Sequence, residues 1–201
     1  MPDVPALTRA DLMSLEAYHR ERPAFRARVL RHKASRQICL GAHATLYYED
    51  RLTIQYQIQE MLRVERIFES DAIQAELDAY VPLIPDGDNW KATFMLEYPD
   101  VEERKTALAR LSGIEHAVWM QVGGHARVMG IADEDMPRAR QAKTAAVHFM
   151  RFQLTPEMVR AACAGAPLAV GVAHRLYSYS VDPVSEAVRA SLAADLRADS
   201  A

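Results

Sequence analysis

The change of hydrophobic periodicity along the chain is the feature that most restricts its fold. The first part of the chain repeats apolar residues at helical spacing, whereas residues 90–98 alternate apolar and polar side chains as a half-buried strand does. Strand patterns interleaved with single helices follow. This order predicts an α+β fold with a mixed or largely antiparallel sheet, an N-terminal helical region and helices packed on the sheet. The 201 residues include no long polar linker. We therefore expect one globular domain, residues 1–201, with a helical region at 1–36 and an α+β body at 37–201.

Capping residues predict where several helices begin. Thr8 and Asp11 form a weak capping box for the first helix. Pro23 suits the first position of a second helix, because no N–H is needed there. Asp182-Pro183 predicts the start of the terminal helix. The other predicted caps are Asp50, Asp100 and Thr155.

The segment Arg51–Glu69 carries two competing patterns. Its first apolar residues alternate with polar ones, which is typical of a strand, but strong helix formers dominate through Phe68. We predict a helix from Arg51 to Glu69. On a helical projection Glu65 falls in the middle of the apolar stripe, and Glu69 lies at the edge of the same face, one turn later. The stripe consists of Ile54, Ile58, Met61, Leu62 and Phe68.

A carboxylate on an apolar face must pair, bind a metal or accept a proton, because a lone buried charge is costly. Glu65 is therefore a candidate catalytic residue. Glu65 and Glu69 together are candidate metal ligands, or could divide the acid and base roles of a reaction. The alternative is that Glu65 pairs with a core-facing arginine from another part of the fold.

Two histidines are further candidates. His148 shares its predicted strand face with Met150 and Phe152. This position suits either a core histidine with one satisfied nitrogen or a catalytic imidazole. His43 lies in a glycine-containing loop beside a strand, and it is a candidate metal ligand.

Four arginines predict a site for a carboxylate or a phosphate. Arg51, Arg63 and Arg66 accompany the Glu65 face, and Arg151 belongs to the predicted strand that contains His148. Guanidinium groups bind such anions through paired hydrogen bonds. The alternative is a lattice of ion pairs at helical spacings of three and four residues. Its acidic members would be Glu60, Glu65 and Glu69.

The net charge of −3 disfavours a general nucleic-acid-binding protein, since that class needs an excess of basic residues. Positive charge is nevertheless concentrated in the segment Arg20–Arg36, which has seven Lys or Arg residues and the single acid Glu21. This segment predicts either a docking site for a protein partner or a solvated helix face. Its only aromatic residue is Phe25, which offers little surface for base stacking.

Signatures of common cofactor and enzyme classes are missing from the sequence. It contains no Walker loop, dinucleotide-binding glycine motif, zinc-protease motif or serine-hydrolase elbow. Cys39 and Cys163 are too few for a disulfide framework or a four-thiolate metal site. No apolar stretch is long enough to cross a membrane, and Met1–Pro5 does not begin a signal peptide, so we expect a cytoplasmic protein. No cofactor is indicated, and the question of enzymatic activity stays open.

Four segments resemble the sequence pattern of an uncharacterised bacterial family of about this length, known as a domain of unknown function. They are Glu49–Ile54, Gln57–Arg66, Leu83–Gly87 and Ala146–Phe152. The resemblance covers nearly the whole chain. The family has no established reaction, cofactor or catalytic residue, so the resemblance assigns no site. Because its members are often encoded near rubrerythrin-like and iron–sulfur redox proteins, it implies an accessory role in a redox or oxidative-stress pathway.

Two functional hypotheses follow. The first is an accessory protein that binds a small anion or a protein partner through its arginine-rich segments. The second is a metal-dependent or acid–base enzyme that uses Glu65 and Glu69 with a histidine.

Overall fold

The computed structural model of the chain describes residues 7–132 and 144–198. Residues 1–5, on which the expectation about a signal peptide rests, lie outside that part of the chain. Two compact units are distinguished. Unit 1 is formed by Met1–Ala34 and Glu49–Ile84, and unit 2 by Ser35–Tyr48 and Pro85–Ala201. Among the described residues, none of the helices combines the length and the apolar character that crossing a bilayer requires.

The described part of unit 1 is helical. Helix α1 spans Leu15–Lys33, α2 spans Arg51–Glu65 and α3 spans Ser70–Tyr80. Short 3₁₀ turns lie at Arg9–Asp11 and Val81–Leu83. The predicted start of a helix at Arg51 is therefore confirmed.

Two apolar clusters hold unit 1 together. In the first, Leu77 of α3 packs with the apolar face of α2, which consists of Ile54, Ile58 and Leu62. In the second, α1 contributes Tyr18, Phe25 and Val29, against which Leu52 and Tyr56 of α2 pack. Helix α2 thus uses two sides, one toward each neighbouring helix.

Local capping explains where α2 begins. The side chain of Asp50 accepts a hydrogen bond from the Thr53 N–H at 2.9 Å, and the Thr53 hydroxyl accepts one from the Asp50 N–H at 2.9 Å. This reciprocal pair satisfies two N–H groups that the first helical turn leaves unpaired. The predicted Asp50 cap is confirmed.

The prediction of two N-terminal helices separated at Pro23 is wrong. The Thr8–Asp11 capping box forms, but it opens only a 3₁₀ turn, and Ser14 caps α1 instead. Helix α1 then continues through Pro23. A proline inside a helix removes one backbone hydrogen bond. Because Pro23 is exposed, water can solvate the carbonyl that loses its donor.

The residues of unit 2 that the structure describes form two antiparallel sheets. The first has the strand order β1-β2-β3-β7-β6, and the second has the order β5-β4-β8-β9. In chain order the strands are β1 Gln37–Cys39, β2 Ala44–Tyr48, β3 Asn89–Leu96, β4 Val118–Val122, β5 Val128–Met129, β6 Ile131–Ala132, β7 Val147–Gln153, β8 Leu168–His174 and β9 Tyr177–Val181. Antiparallel pairing throughout, together with the helices of unit 1, confirms the α+β class.

In the described part of unit 2, three helices share one apolar core with both sheets. They are α4 Val101–Arg110, α5 Pro156–Cys163 and α6 Glu186–Ala193. Trp90, Phe94 and Phe152 are large core side chains that are fully buried. The same cluster includes Leu108 of α4, Val159 of α5 and Leu192 of α6. The expected packing of helices on the sheet is therefore confirmed.

Gly130 lets the chain pass from one sheet to the other. It separates β5, which pairs with β4, from β6, which pairs with β7. A Cβ atom at this position would lie 2.5 Å from Cε of Met150 and 3.1 Å from a ring carbon of Phe152. Because those side chains belong to the core, only glycine fits the crossing without moving them.

The predicted start of the terminal helix at Asp182-Pro183 is wrong. Strand β9 continues to Val181, and α6 begins after Ser185, whose side chain accepts a hydrogen bond from the Val188 N–H. Asp182 and Pro183 instead belong to the connection between the two elements.

Arg36 holds α6 in place from within unit 2. Its side chain is 2% exposed, and its Nη2 donates to Asp195 at 2.6 Å. Its Nε donates to the Tyr48 carbonyl at 3.1 Å, and its Nη1 donates to the Ser191 carbonyl at 3.2 Å. Trp90 Nε1 donates to the neighbouring Leu192 carbonyl at 2.8 Å. The last carbonyls of α6 are thus paired with buried donors rather than left to water.

Replacing Arg36 with alanine should destabilise unit 2 by about 3–5 kcal/mol, because the Asp195 carboxylate, whose side chain is 10% exposed, loses its ion pair with the Arg36 guanidinium. Urea unfolding followed by tryptophan fluorescence measures this directly, since both tryptophans, Trp90 and Trp119, lie in unit 2. Arg110→Ala, at an exposed position, is the matched control and should leave the midpoint unchanged. An Arg36→Ala midpoint equal to that of the control would contradict the role given to this ion pair.

Candidate functional site

The inward orientation expected for Glu65 is wrong. Helix α2 ends at Glu65, and the next residue, Arg66, adopts a left-handed conformation with φ of 55°. The 100° progression of side chains therefore stops before Phe68, which is 62% exposed. Glu65 is exposed, and Glu69 is an exposed residue that precedes α3. The structure does not place either carboxylate on a buried apolar face.

Glu60 is the carboxylate of α2 that lies between helices. Its side chain is 18% exposed. One oxygen accepts hydrogen bonds from the Tyr18 hydroxyl at 2.6 Å and Arg22 Nε at 2.7 Å. The other accepts from Arg22 Nη2 at 2.9 Å and Arg63 Nη2 at 3.0 Å. We call these four residues the Glu60 cluster. The spacing of Glu60 and Arg63 indicated an ion pair, but it did not single out Glu60 or reveal Tyr18.

The charges of the Glu60 cluster stabilise one another. Hydrogen bonds from Arg22 are the largest influence on Glu60 and lower its pKa to about 2, although burial opposes the shift. Burial and the neighbouring Glu60 carboxylate raise the pKa of Tyr18. The bond to Glu60 likewise raises the pKa of Arg22. At neutral pH the cluster is a carboxylate held by two guanidinium groups and one phenol.

The four arginines of the predicted anion site have different surroundings. Arg63 belongs to the Glu60 cluster, and its Nε is buried without a hydrogen-bond partner in the described part of the chain. Arg51 pairs with Asp11 at 2.8 Å, at the opposite end of α2. The helical rise separates residues 51 and 63 by about 18 Å, so one small anion does not contact both. Arg66 ends α2, and Arg151 lies on β7 of unit 2, where it donates to Gln153 at 2.5 Å.

His148 has the environment of a core histidine. It is 2% exposed, and its Nε2 lies 2.8 Å from the Thr144 hydroxyl oxygen and 3.1 Å from the Ala145 carbonyl. The Thr144 hydroxyl donates to Glu115 at 2.8 Å, so the proton between Thr144 and His148 belongs to the imidazole. This arrangement favours the structural interpretation of His148.

His43 packs against an aromatic ring. Its ring is stacked on Tyr98 with centroids 4.1 Å apart, and its Nδ1 lies 3.1 Å from the Glu97 carbonyl. No group of three or more histidine, cysteine, aspartate or glutamate side chains that could hold a metal occurs within residues 7–132 and 144–198. The described residues therefore do not give His43 the two further ligands that a three-ligand metal site needs.

Most basic residues of the segment Arg20–Arg36 lie on the solvent-facing side of α1. The side chains of Phe25 and Val29 are buried, and Arg22 is partly buried by Glu60. Four other arginines of the helix are exposed, namely Arg20, Arg26, Arg28 and Arg31. We call them the α1 arginines. Arg36, the last basic residue of the segment, belongs to unit 2 and is buried.

Unit 1 also has an open cavity of about 330 Å³. Apolar side chains dominate its lining, and Arg9 and Glu16 add one charge of each sign. The guanidinium of Arg9 also donates to the Ser70 hydroxyl. Because its charges oppose each other, this cavity does not select an anion.

Replacing Glu60 with glutamine should destabilise unit 1 by roughly 1.5–3 kcal/mol at neutral pH, the usual worth of hydrogen bonds to a charged group. The folded-state pKa of about 2 lies below the ordinary value of 4.5. The stabilisation is therefore present above pH 4.5 and is lost as the pH falls toward about 2. Urea unfolding monitored by helical circular dichroism at several pH values should show the gap between wild type and Glu60→Gln closing over this interval.

The control for this measurement is Glu102→Gln, which makes the same chemical change at a side chain that is 79% exposed. It should follow wild type at every pH. A gap between wild type and Glu60→Gln that stays constant down to pH about 2 would contradict the assignment, since that is where Glu60 becomes protonated.

Comparisons with known proteins identify relatives but no activity. The structure is similar to the crystal structure of a "novel protein of unknown function" from Burkholderia pseudomallei K96243, with 49% sequence identity and a TM-score of 0.92 over 96% of this chain and 100% of that chain. No curated protein sequence matches the chain significantly. Residues 6–196 match the family described as "Protein of unknown function (DUF3501)". The resemblance to an uncharacterised family is thereby confirmed, and the chain belongs to the DUF3501 family.

Proposed function

We propose that this chain is an accessory protein that binds an acidic protein partner through the α1 arginines. The observation that carries the proposal is that four of the five arginines of α1 have exposed side chains. Cationic surfaces of this kind attract acidic partners and accelerate their association. The role in a redox or oxidative-stress pathway and the cytoplasmic location, both expected from the sequence, remain predictions.

Few acidic groups of unit 1 compete for these arginines. Arg20 lies 3.5 Å from Glu21, but both side chains are more than half exposed, so the pair is weak. Arg28 lies over the Phe25 ring, 5.0 Å from its centroid. Arg26 and Arg31 have no ion pair within the described residues. Their hydrogen-bond donors are thus available to a carboxylate of another molecule.

An acidic protein suits this surface better than a nucleic acid. Phe25, the only aromatic residue of the basic segment, is 6% exposed and packs inside unit 1. Proteins that bind single-stranded nucleic acids combine basic side chains with exposed aromatic rings, and α1 offers only the former. The net charge of −3 adds long-range repulsion toward a polyphosphate.

We also assign Arg63 to the partner-binding surface. Glu60 bonds to both Arg22 of α1 and Arg63 of α2, so it places Arg63 beside α1. The Arg63 side chain is 38% exposed, and Glu60 occupies only its Nη2. The other sites predicted from the sequence, at Glu65, Glu69, Arg51, Arg66, Arg151, His43 and His148, are not required for this function.

Reversing two charges on α1 should abolish most of the binding. The probe is a fluorescein-labelled poly-L-glutamate peptide, titrated with the full chain while anisotropy is measured at low salt. Wild type should bind, and the affinity should fall as salt screens the charges. Arg26→Glu with Arg31→Glu should weaken binding by roughly tenfold or more, about 1.4 kcal/mol.

The matched control reverses two exposed arginines of unit 2, Arg110→Glu with Arg160→Glu, and changes the net charge equally. It should bind the peptide nearly as well as wild type. Equal losses in both double variants would show that only net charge matters, which would contradict the assignment to α1. Tighter binding of a labelled oligonucleotide than of poly-L-glutamate would overturn the choice of partner.

A further inference from the structure

The open cavity of unit 1 has the size and the walls of a pocket for a small molecule. It lies between the start of α1, the end of α2 and the start of α3, and each helix contributes an apolar side chain, namely Leu15, Leu62 and Ile73. Its volume of about 330 Å³ is at the lower end of the range for ligand pockets, roughly 300–1,000 Å³. A ligand that fills it is therefore small and largely apolar.

The apolar walls of the cavity are held in place by the core of unit 1. Leu15, Ile67 and Ile73 pack against the buried cluster that α2 and α3 share, and Leu62 belongs to that cluster. Phe68, which also lines the cavity, is 62% exposed and so has apolar surface left to cover. An apolar group that enters removes this surface from water and needs little rearrangement of the walls.

Two opposite charges line the same cavity, and neither forms an ion pair within residues 7–132 and 144–198. The guanidinium of Arg9 donates to the hydroxyl of Ser70, a neutral group at the start of α3. Glu16 lies in the first turn of α1, where a hydrogen bond from its own N–H lowers its pKa, so it is ionised at neutral pH. The cavity thus offers a cation and an anion beside apolar walls.

We propose that the cavity binds a free α-amino acid with an apolar side chain, of the size of leucine, methionine or phenylalanine. The side chain of the ligand lies against the apolar walls, its carboxylate pairs with Arg9, and its ammonium group pairs with Glu16. Both charges of such a ligand are attached to the carbon atom that carries the apolar side chain. This combination matches a small cavity with apolar walls and one charge of each sign.

Other classes of small molecule match the cavity less well. An apolar anion such as a fatty acid pairs with Arg9 but is repelled by Glu16, and an apolar amine meets the reverse arrangement. An uncharged apolar molecule pairs with neither group and displaces water from both. A residue inside a peptide carries neither charge on its main chain. The free amino acid is the class that satisfies the walls and both charges.

Isothermal titration calorimetry of the wild-type chain with three related probes tests the two charges separately. L-Leucine should bind saturably at one site per chain, with a Kd of about 1 mM or tighter. Isocaproate is the same molecule without the ammonium group, and isoamylamine is the same molecule without the carboxylate. Each should bind at least roughly tenfold more weakly than L-leucine. Because the chain is unmodified in all three titrations, this comparison does not depend on the folding of a variant.

Substitutions of the two charged residues should affect different probes. Glu16→Gln should weaken L-leucine binding roughly tenfold but should not weaken isocaproate binding, since isocaproate has no ammonium group. Arg9→Gln should weaken L-leucine binding by a similar factor and should not weaken isoamylamine binding. The matched controls are Arg20→Gln and Glu21→Gln, at exposed residues of α1 that do not line the cavity. Both should bind L-leucine like wild type.

Three results would overturn the proposal. The first is that wild type shows no saturable binding of L-leucine, L-methionine or L-phenylalanine up to about 10 mM. The second is that isocaproate or isoamylamine binds wild type as tightly as L-leucine does, because the two charges would then not select the ligand. The third is that the control variants lose as much affinity for L-leucine as Arg9→Gln and Glu16→Gln do, because the loss would then not come from the cavity.

Discussion

The pairing of buried backbone N–H and C=O groups is the constraint on which the internal order of both units depends. In unit 1, Gln59 is fully buried, and its amide accepts from the Met13 N–H at 2.6 Å and donates to the Met13 carbonyl at 3.4 Å. One turn earlier, Gln55 donates to the Asp11 carbonyl at 2.7 Å. In unit 2, Arg36 and Trp90 likewise donate hydrogen bonds to backbone carbonyls of α6. Gln59, Arg36 and Trp90 are buried at places where backbone groups of a loop or of a helix end need a partner.

Features that depend on neighbours in the sequence could be predicted from it. The caps at Asp50, Asp100 and Thr155 were predicted because each bond closes within three residues of the capping side chain. The alternation over residues 90–98 identified β3 because one face of that strand packs on the core. The order of strands and helices predicted the α+β class with a mixed or largely antiparallel sheet, without deciding between these two kinds of sheet. Such signals depend only on residues within one turn or one strand, so they are the same whatever the rest of the fold is.

Features that depend on distant residues could not be predicted. The orientation of Glu65 was wrong because α2 ends at Arg66 in a left-handed conformation, and arginine gives no signal for such an ending, unlike glycine. Glu60 was not recognised as the central carboxylate because Tyr18 and Arg22 reach it from more than thirty residues away in sequence. Strand β9 was not predicted for a different, local reason. Its hairpin turn has Arg175 and Leu176 in place of the usual glycine or asparagine.

The basic surface of α1 is a consequence of how unit 1 uses its acids. Three carboxylates link segments of the described part of the unit: Glu60 pairs with Arg22 and Arg63, Asp11 pairs with Arg51, and Asp50 bonds to His32. These pairs connect α2 to α1 and to the segment that precedes α1. Among the outward arginines of α1, Arg20 has only the exposed Glu21 as a counter-ion, and Arg26, Arg28 and Arg31 have no ion pair within the described residues, even though acids outnumber bases in the whole chain, 27 to 24. The negative net charge of the chain is therefore a poor guide to the partners it attracts, because the side of unit 1 formed by α1 is positively charged.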